Sequence, residues 1–128
     1  MDWKYLLTSF EGRINRKPFW LGAIAFGIVV SILTTIVESL FGIKTDSSMP
    51  GYTQDFTQFG WILISIIGLV SLWVGLALQV KRWHDRDKSG WWVLIGLIPV
   101  IGNIWALVET GFLRGTDGTN SYGPDPLA

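Results

Sequence analysis

Residues 56–80 read FTQFGWILISIIGLVSLWVGLALQV, 25 positions without an Asp, Glu, Lys or Arg, and residues 81–88 then read KRWHDRDK. A helix needs about 20 apolar residues to cross the roughly 30 Å of hydrocarbon in a bilayer. The first run therefore reads as a span, and the second as the charged flank that stops it. Two further uncharged runs lie outward from this pair, 18–37 and 89–108, each of 20 residues. Together the three runs take 65 of the 128 residues. Charged residues are only 16% of the chain, where a soluble domain carries about a quarter. That is too little charge to clothe a water-soluble surface. The sequence predicts an all-α integral membrane protein, a single membrane domain over 1–128.

The positions of the cations set the expected orientation. Eight of the ten Lys and Arg residues fall in two segments: Lys4, Arg13, Arg16 and Lys17 before the first run, and Lys81, Arg82, Arg86 and Lys88 after the second. Cytoplasmic flanks carry the Lys/Arg excess, which places both segments in the cytoplasm. The expected layout is an interfacial amphipathic helix over 1–17, span 1 over 18–41 and an outer loop over 42–55. Span 2 follows over 56–80, then a cytoplasmic basic loop over 81–89, span 3 over 90–113 and a tail rich in Gly, Asn and Pro over 114–128. Three spans put the C-terminus outside. The first run is longer than the 7–15 residues typical of a signal-peptide core, and no small-x-small cleavage site follows it. It reads as an uncleaved anchor.

Local patterns refine this layout. Trp3, Leu6, Leu7 and Phe10 recur at i, i+3, i+4 and i+7, one face of a short helix, suited to lie in the interface. Pro18 suits the first turn of span 1. Ala23 with Gly27, and Ser71 with Gly75, are small pairs that let helices approach closely in lipid. Of the eight tryptophans, Trp20, Trp61, Trp83, Trp91 and Trp92 lie at expected span ends, where indole settles at headgroup level. Span 3 is interrupted by Pro99, Gly102 and Asn103. Proline breaks a backbone hydrogen bond and kinks a helix, so the third span is expected to be Pro-kinked. The alternative is a re-entrant hairpin turning at Pro99, which would return the tail to the cytoplasm.

The chemistry-bearing residues are few. The chain has no cysteine and one histidine, which excludes thiolate, Fe–S and multi-histidine metal sites within it. No metal and no cofactor is expected. A net charge of zero gives no field to recruit nucleic acid. Residues 81–92 pack four cations, two carboxylates, an imidazole and three indoles together. Lys81, Arg82, His84, Asp85, Arg86, Trp91 and Trp92, joined by Arg13 and Arg16, form a candidate site for an anionic ligand. Arg supplies a fork for phosphate and Trp an apolar wall. The plainer reading is a positive-inside loop whose charges pair locally. In the tail, Asn120, Tyr122 and Asp125 stand among turn-forming Gly and Pro without an assigned role, and the closing Glu of a calcium loop is missing. No phosphate loop, nucleophile elbow or His-Glu-x-x-His occurs, so no catalytic residue is assigned.

Several of these segments together resemble a bacterial inner-membrane family known as domain of unknown function 805. The matching residues are Phe10, Gly12, Arg13, Arg16, Phe19 and Trp20, then Lys81, Arg82, His84 and Asp85 with Ser89, Gly90, Trp91 and Trp92. Ile98, Pro99 and Gly102 follow, and the tail supplies Gly115, Gly118, Asn120, Tyr122, Gly123, Pro124, Asp125 and Pro126. Asp87 departs from the pattern, where a small residue such as glycine is expected. The resemblance implies a multi-pass protein of the bacterial inner (cytoplasmic) membrane with a cytoplasmic N-terminus, and no activity. Three functions remain open. The first is a small accessory protein that binds another membrane protein, or a second copy of itself, within the lipid bilayer. The second is binding or transport of an anionic lipid or phosphorylated isoprenoid at the cationic and Trp-rich face. The third and weakest is a membrane-embedded enzyme using His84 and Asp85.

Overall fold

The structure, a computed structural model, describes residues 2–43 and 55–127. It is mostly helical with almost no strand, and its chain divides into two compact units, Met1–Ala25 with Trp73–Ala128, and Phe26–Leu72. Two helices are long and apolar enough to cross a membrane: α2 (Arg16–Phe41) and α3 (Gln58–Asp85). Pro18 sits in the first turn of α2 as expected, where an N–H has no intrahelical acceptor to lose.

In the second unit, β1 (Gly42–Ile43) pairs antiparallel with β2 (Asp55–Phe56), Gly42 opposite Phe56. Phe41 packs edge-on against Phe59, and Phe56 against Trp61, whose indole donates to Asp55 at 2.9 Å. These contacts fix both ends of the expected outer loop, whose residues 44–54 lie outside the described ones.

In the first unit, α1 (Trp3–Thr8) is capped by Asp2, whose carboxylate accepts from the Tyr5 N–H. It is shorter than the interfacial helix expected over 1–17. Its buried Leu6 faces Gly22 and Leu78. Phe10 meets Trp73 edge-on, and the Trp73 indole donates to the Thr8 carbonyl at 3.1 Å.

The basic loop expected over 81–89 is shorter than its charges suggested, because α3 continues through Lys81 and Arg82 to Asp85. The helix then closes with the Asp87 N–H on the His84 carbonyl and the Lys88 N–H on the Trp83 carbonyl. This is the paired Schellman closure, with the residue beyond the cap left-handed. That residue is Asp87, at φ 58°. Aspartate enters this region more readily than most residues, which accommodates the departure noted in the sequence.

No single long helix covers the third span expected over 90–113. A 3₁₀ helix runs over Gly90–Leu97, α4 over Ile101–Leu107, and a π-turn over Val108–Phe112. Between the two arms, the Ile101 N–H donates to the Pro99 carbonyl at 2.7 Å, closing a γ-turn on Val100 at φ 64°, ψ −68°. Gly102 allows this reversal, since a Cβ there would collide with the Ile95 carbonyl. At about 2 Å per 3₁₀ residue and 1.5 Å per α residue, each arm reaches roughly 16–18 Å, short of a bilayer core. The Trp20 indole holds the Gly111 carbonyl at 2.8 Å and Arg82 holds those of Thr110 and Leu113. Both ends of the segment therefore meet at the end of α3. The segment thus folds back on itself at Pro99–Val100.

Candidate functional site

Around the last turn of α3 the chain places a buried charge cluster. Lys81, Arg82 and Asp85 lie within one helical turn of each other, and Arg13 arrives from the segment joining α1 to α2. Asp85 is the centre. It accepts from Arg13 Nε at 2.8 Å and from Arg82 Nη1, and the three side chains are 2%, 0% and 3% exposed in the order Arg13, Arg82, Asp85. A buried ion pair of this kind needs further hydrogen bonds to offset the desolvation of its charges, and the backbone supplies them.

Each cation is bonded to carbonyls from segments distant in sequence. Arg13 donates to Thr116 O at 2.6 Å, Gly118 O at 2.7 Å and Gly123 O at 3.3 Å. Arg82 donates to Thr110 O at 2.6 Å, Leu113 O at 2.8 Å and Ile14 O at 3.0 Å. Lys81 Nζ binds the carbonyls of Leu6 and Tyr5 at 2.7 and 3.1 Å, and that of Ser9. Three cations thus tie the N-terminal segment, the hairpin and the tail to one helix end. The hairpin's return and the tail's course follow from this, because those carbonyls are the acceptors that make burial of the guanidiniums tolerable.

The tail closes over the cluster. Thr116 N–H donates to the Asp85 carbonyl at 2.7 Å, and a Cβ on Gly115 would overlap the Asp85 carboxylate. Asn120 donates to the His84 carbonyl at 2.8 Å, and its own oxygen receives Tyr122 N–H. The Ser121 N–H reaches the Asp87 carboxylate at 3.1 Å. Asp125 clips the loop by accepting from Leu127 N–H at 2.9 Å and Gly118 N–H at 3.0 Å. These two bonds, that from Leu127 first, hold its carboxyl below the ordinary value. The Tyr122 ring stacks on His84, centroids 4.0 Å apart and planes within 5°. The three tail residues flagged in the sequence thus act in one loop closure.

The remaining candidates are peripheral. Arg16 is exposed and donates to Phe112 O at 2.9 Å. Arg86 donates to Arg114 O at 2.6 Å and approaches Glu109. Trp92 stacks on Trp83, which is wholly buried rather than in an interfacial belt, and Lys88 lies over both rings. Trp91 is exposed. Sequence reasoning missed Glu109, which accepts from Lys88 Nζ at 2.6 Å and the Trp105 indole at 3.2 Å. It is the one charged residue within 90–113, and a carboxylate in such a run is itself a signal. Among the described residues no group of three or more potential metal ligands occurs.

Comparison with known proteins adds the following. A family model described as "Protein of unknown function (DUF805)" matches residues 7–124. The inner membrane protein YhaH of Escherichia coli (strain K12) is 36% identical over 132 residues, covering 98% of this chain and 97% of its own. The inner membrane protein YhaI of the same organism is 31% identical over 120 residues, covering 93% and 86%. The uncharacterized protein YiiR is 26% identical over 144 residues, covering 93% and 86%. No solved structure matches the chain.

Proposed function

The chain belongs to the DUF805 family, and from that premise we propose that it is a small bacterial inner-membrane accessory protein that docks on another membrane protein. In this reading α2 and α3 span the bilayer, and the hairpin enters it from the cytoplasmic side. The N-terminal segment, the 86–89 turn and the tail then form a cap on the cytoplasmic face. The positive-inside distribution supports the orientation, and the names of the relatives support the compartment.

One observation carries the accessory role. Arg13, Lys81 and Arg82, the buried cations of the cluster, are bonded to acceptors of their own chain, so the cluster behaves as a clamp rather than a receptor. What it holds up is an apolar hairpin with Leu97, Ile101 and Ile104 exposed. Within the bilayer that surface meets lipid or another protein. Photo-crosslinking in native membranes from a reactive residue at Ile104 tests this. The expected result is one recurrent protein adduct, and lipid adducts alone would contradict it.

A second reading keeps the anionic-lipid role but moves it outward, since Lys4, Arg16 and Lys17 are exposed near this end. Such cations can hold headgroups electrostatically. Native mass spectrometry of the Arg16→Ala/Lys17→Ala double variant would show loss of bound anionic lipid if this reading holds, and unchanged lipid if it does not.

A further inference from the structure

A groove of about 420 Å³ lies beside α3, and its lining includes Leu76, Val80, His84, Ser89, Gly90 and Val93. Its size falls within the range of sites that take small organic molecules. Leu76, Val80 and His84 are spaced four apart on one helix face, so the groove runs from an apolar body to a polar end. Gly90 keeps that end open, because a Cβ there would press on Val80 and stand 3.6 Å from His84 Nε2.

The imidazole at the polar end is fixed and half-used. Nδ1 lies 2.8 Å from the Gly12 carbonyl, and one ring face is covered by Tyr122. A carbonyl only accepts, so Nδ1 must carry a proton, which leaves Nε2 as the free nitrogen. Ser89 Oγ accepts from Trp91 N–H at 3.3 Å, and its own O–H is left to donate. A ligand head that satisfies both must accept one hydrogen bond from a hydroxyl and share one proton with an imidazole nitrogen.

We infer that this groove binds a single-chain fatty acid, with its acyl chain along Leu76, Val80 and Val93 and its carboxyl group at His84 Nε2 and Ser89 Oγ. One carboxyl oxygen accepts from Ser89. The other shares a proton with Nε2, and the hydrogen bond forms whichever side holds that proton. A diacyl lipid would bring a second chain beside this single apolar row. The inference rests on the membrane placement proposed above and goes beyond the accessory role.

The test uses the full chain in lipid nanodiscs with palmitate bearing a diazirine in its chain. After irradiation, adducts should concentrate on residues 76–93, compete with unlabelled palmitate, and resist methyl palmitate. His84→Asn retains an amide N–H for the Gly12 carbonyl but removes Nε2, and should weaken palmitate binding roughly ten- to a hundredfold, the effect of one hydrogen bond to a charged group. Val93→Trp fills the groove body away from the charge cluster and should abolish the adducts. Equal competition by the methyl ester, adducts spread evenly over α2 and α3, or an unaffected Val93→Trp would each overturn the inference. A chain that separates from the disc would instead remove the membrane placement, and the groove site with it.

Discussion

Replacing Asp85 by Asn removes one negative charge from between two buried guanidiniums and leaves the shape beside Gly115 nearly unchanged. Removing one partner of a buried ion pair costs about 3–5 kcal/mol, because the other charge is left uncompensated. Here Arg13 and Arg82 each keep three carbonyl acceptors, which points to the lower end, about 3 kcal/mol. At 1.4 kcal/mol per tenfold, that opens the tail about 100-fold more often. The amides that report it are Thr116, bonded to the Asp85 carbonyl, and Asn120 and Gly123, bonded to each other. Hydrogen exchange read on residues 114–127 should accelerate by that factor, while the apolar body of α3 is unchanged. Arg13→Gln should loosen the same residues, and the double variant should cost about 0.5–3 kcal/mol less than the sum, since the two side chains touch. Wild-type exchange in Asp85→Asn, or strict additivity of the pair, would refute the reasoning.

Other perturbations probe separate parts of the same account. Gly115→Ala drives a Cβ into the Asp85 carboxylate and should cost about 1–3 kcal/mol as overpacking. Proteolysis of the tail would show it, and an unchanged cleavage rate would contradict it. Val100→Gly relieves a β-branched residue held at positive φ, strain of about 1–3 kcal/mol. It should therefore raise the thermal midpoint in detergent, and a lowered midpoint would count against the γ-turn. Asp125 has a lowered pKa in the folded tail. Its contribution is full above the unfolded value of about 3.9 and is lost as pH falls through the lower native value. Tail exchange, corrected for its intrinsic pH dependence, should stay slow at pH 5 and quicken only below about pH 4, and loosening already at pH 6 would contradict this.

Much of this architecture was legible from periodicity and charge. The two long apolar runs became α2 and α3, and the residues flagged around 13, 82–85 and 120–125 meet in one cluster. Two features were not legible, for related physical reasons. An uncharged run of 20 residues satisfies the length of a span whether it crosses or turns. What favours the turn in the proposed reading is the capture of the Thr110 and Leu113 carbonyls by Arg82, a contact 28–31 residues away in sequence. Equally, the composition of the 81–88 segment does not tell which cations point inward. Lys81 and Arg82 lie within the helix, where backbone acceptors from the N-terminal segment and from Thr110 receive them. Glu109 was passed over because it ended an apolar run, where it looked like a boundary rather than a partner for Lys88.

The side of the membrane on which the C-terminus lies is the most direct test of the central claim that the hairpin returns and the tail joins the cap of Arg13, Arg82 and Asp85. Paired reporter fusions after Ala128, one active only in the cytoplasm and one only outside it, decide the matter. Activity from the cytoplasmic reporter, as at the N-terminus, is the predicted result. Activity from the external reporter would mean that residues 90–113 cross the bilayer, and the clamp described here would have no tail to hold.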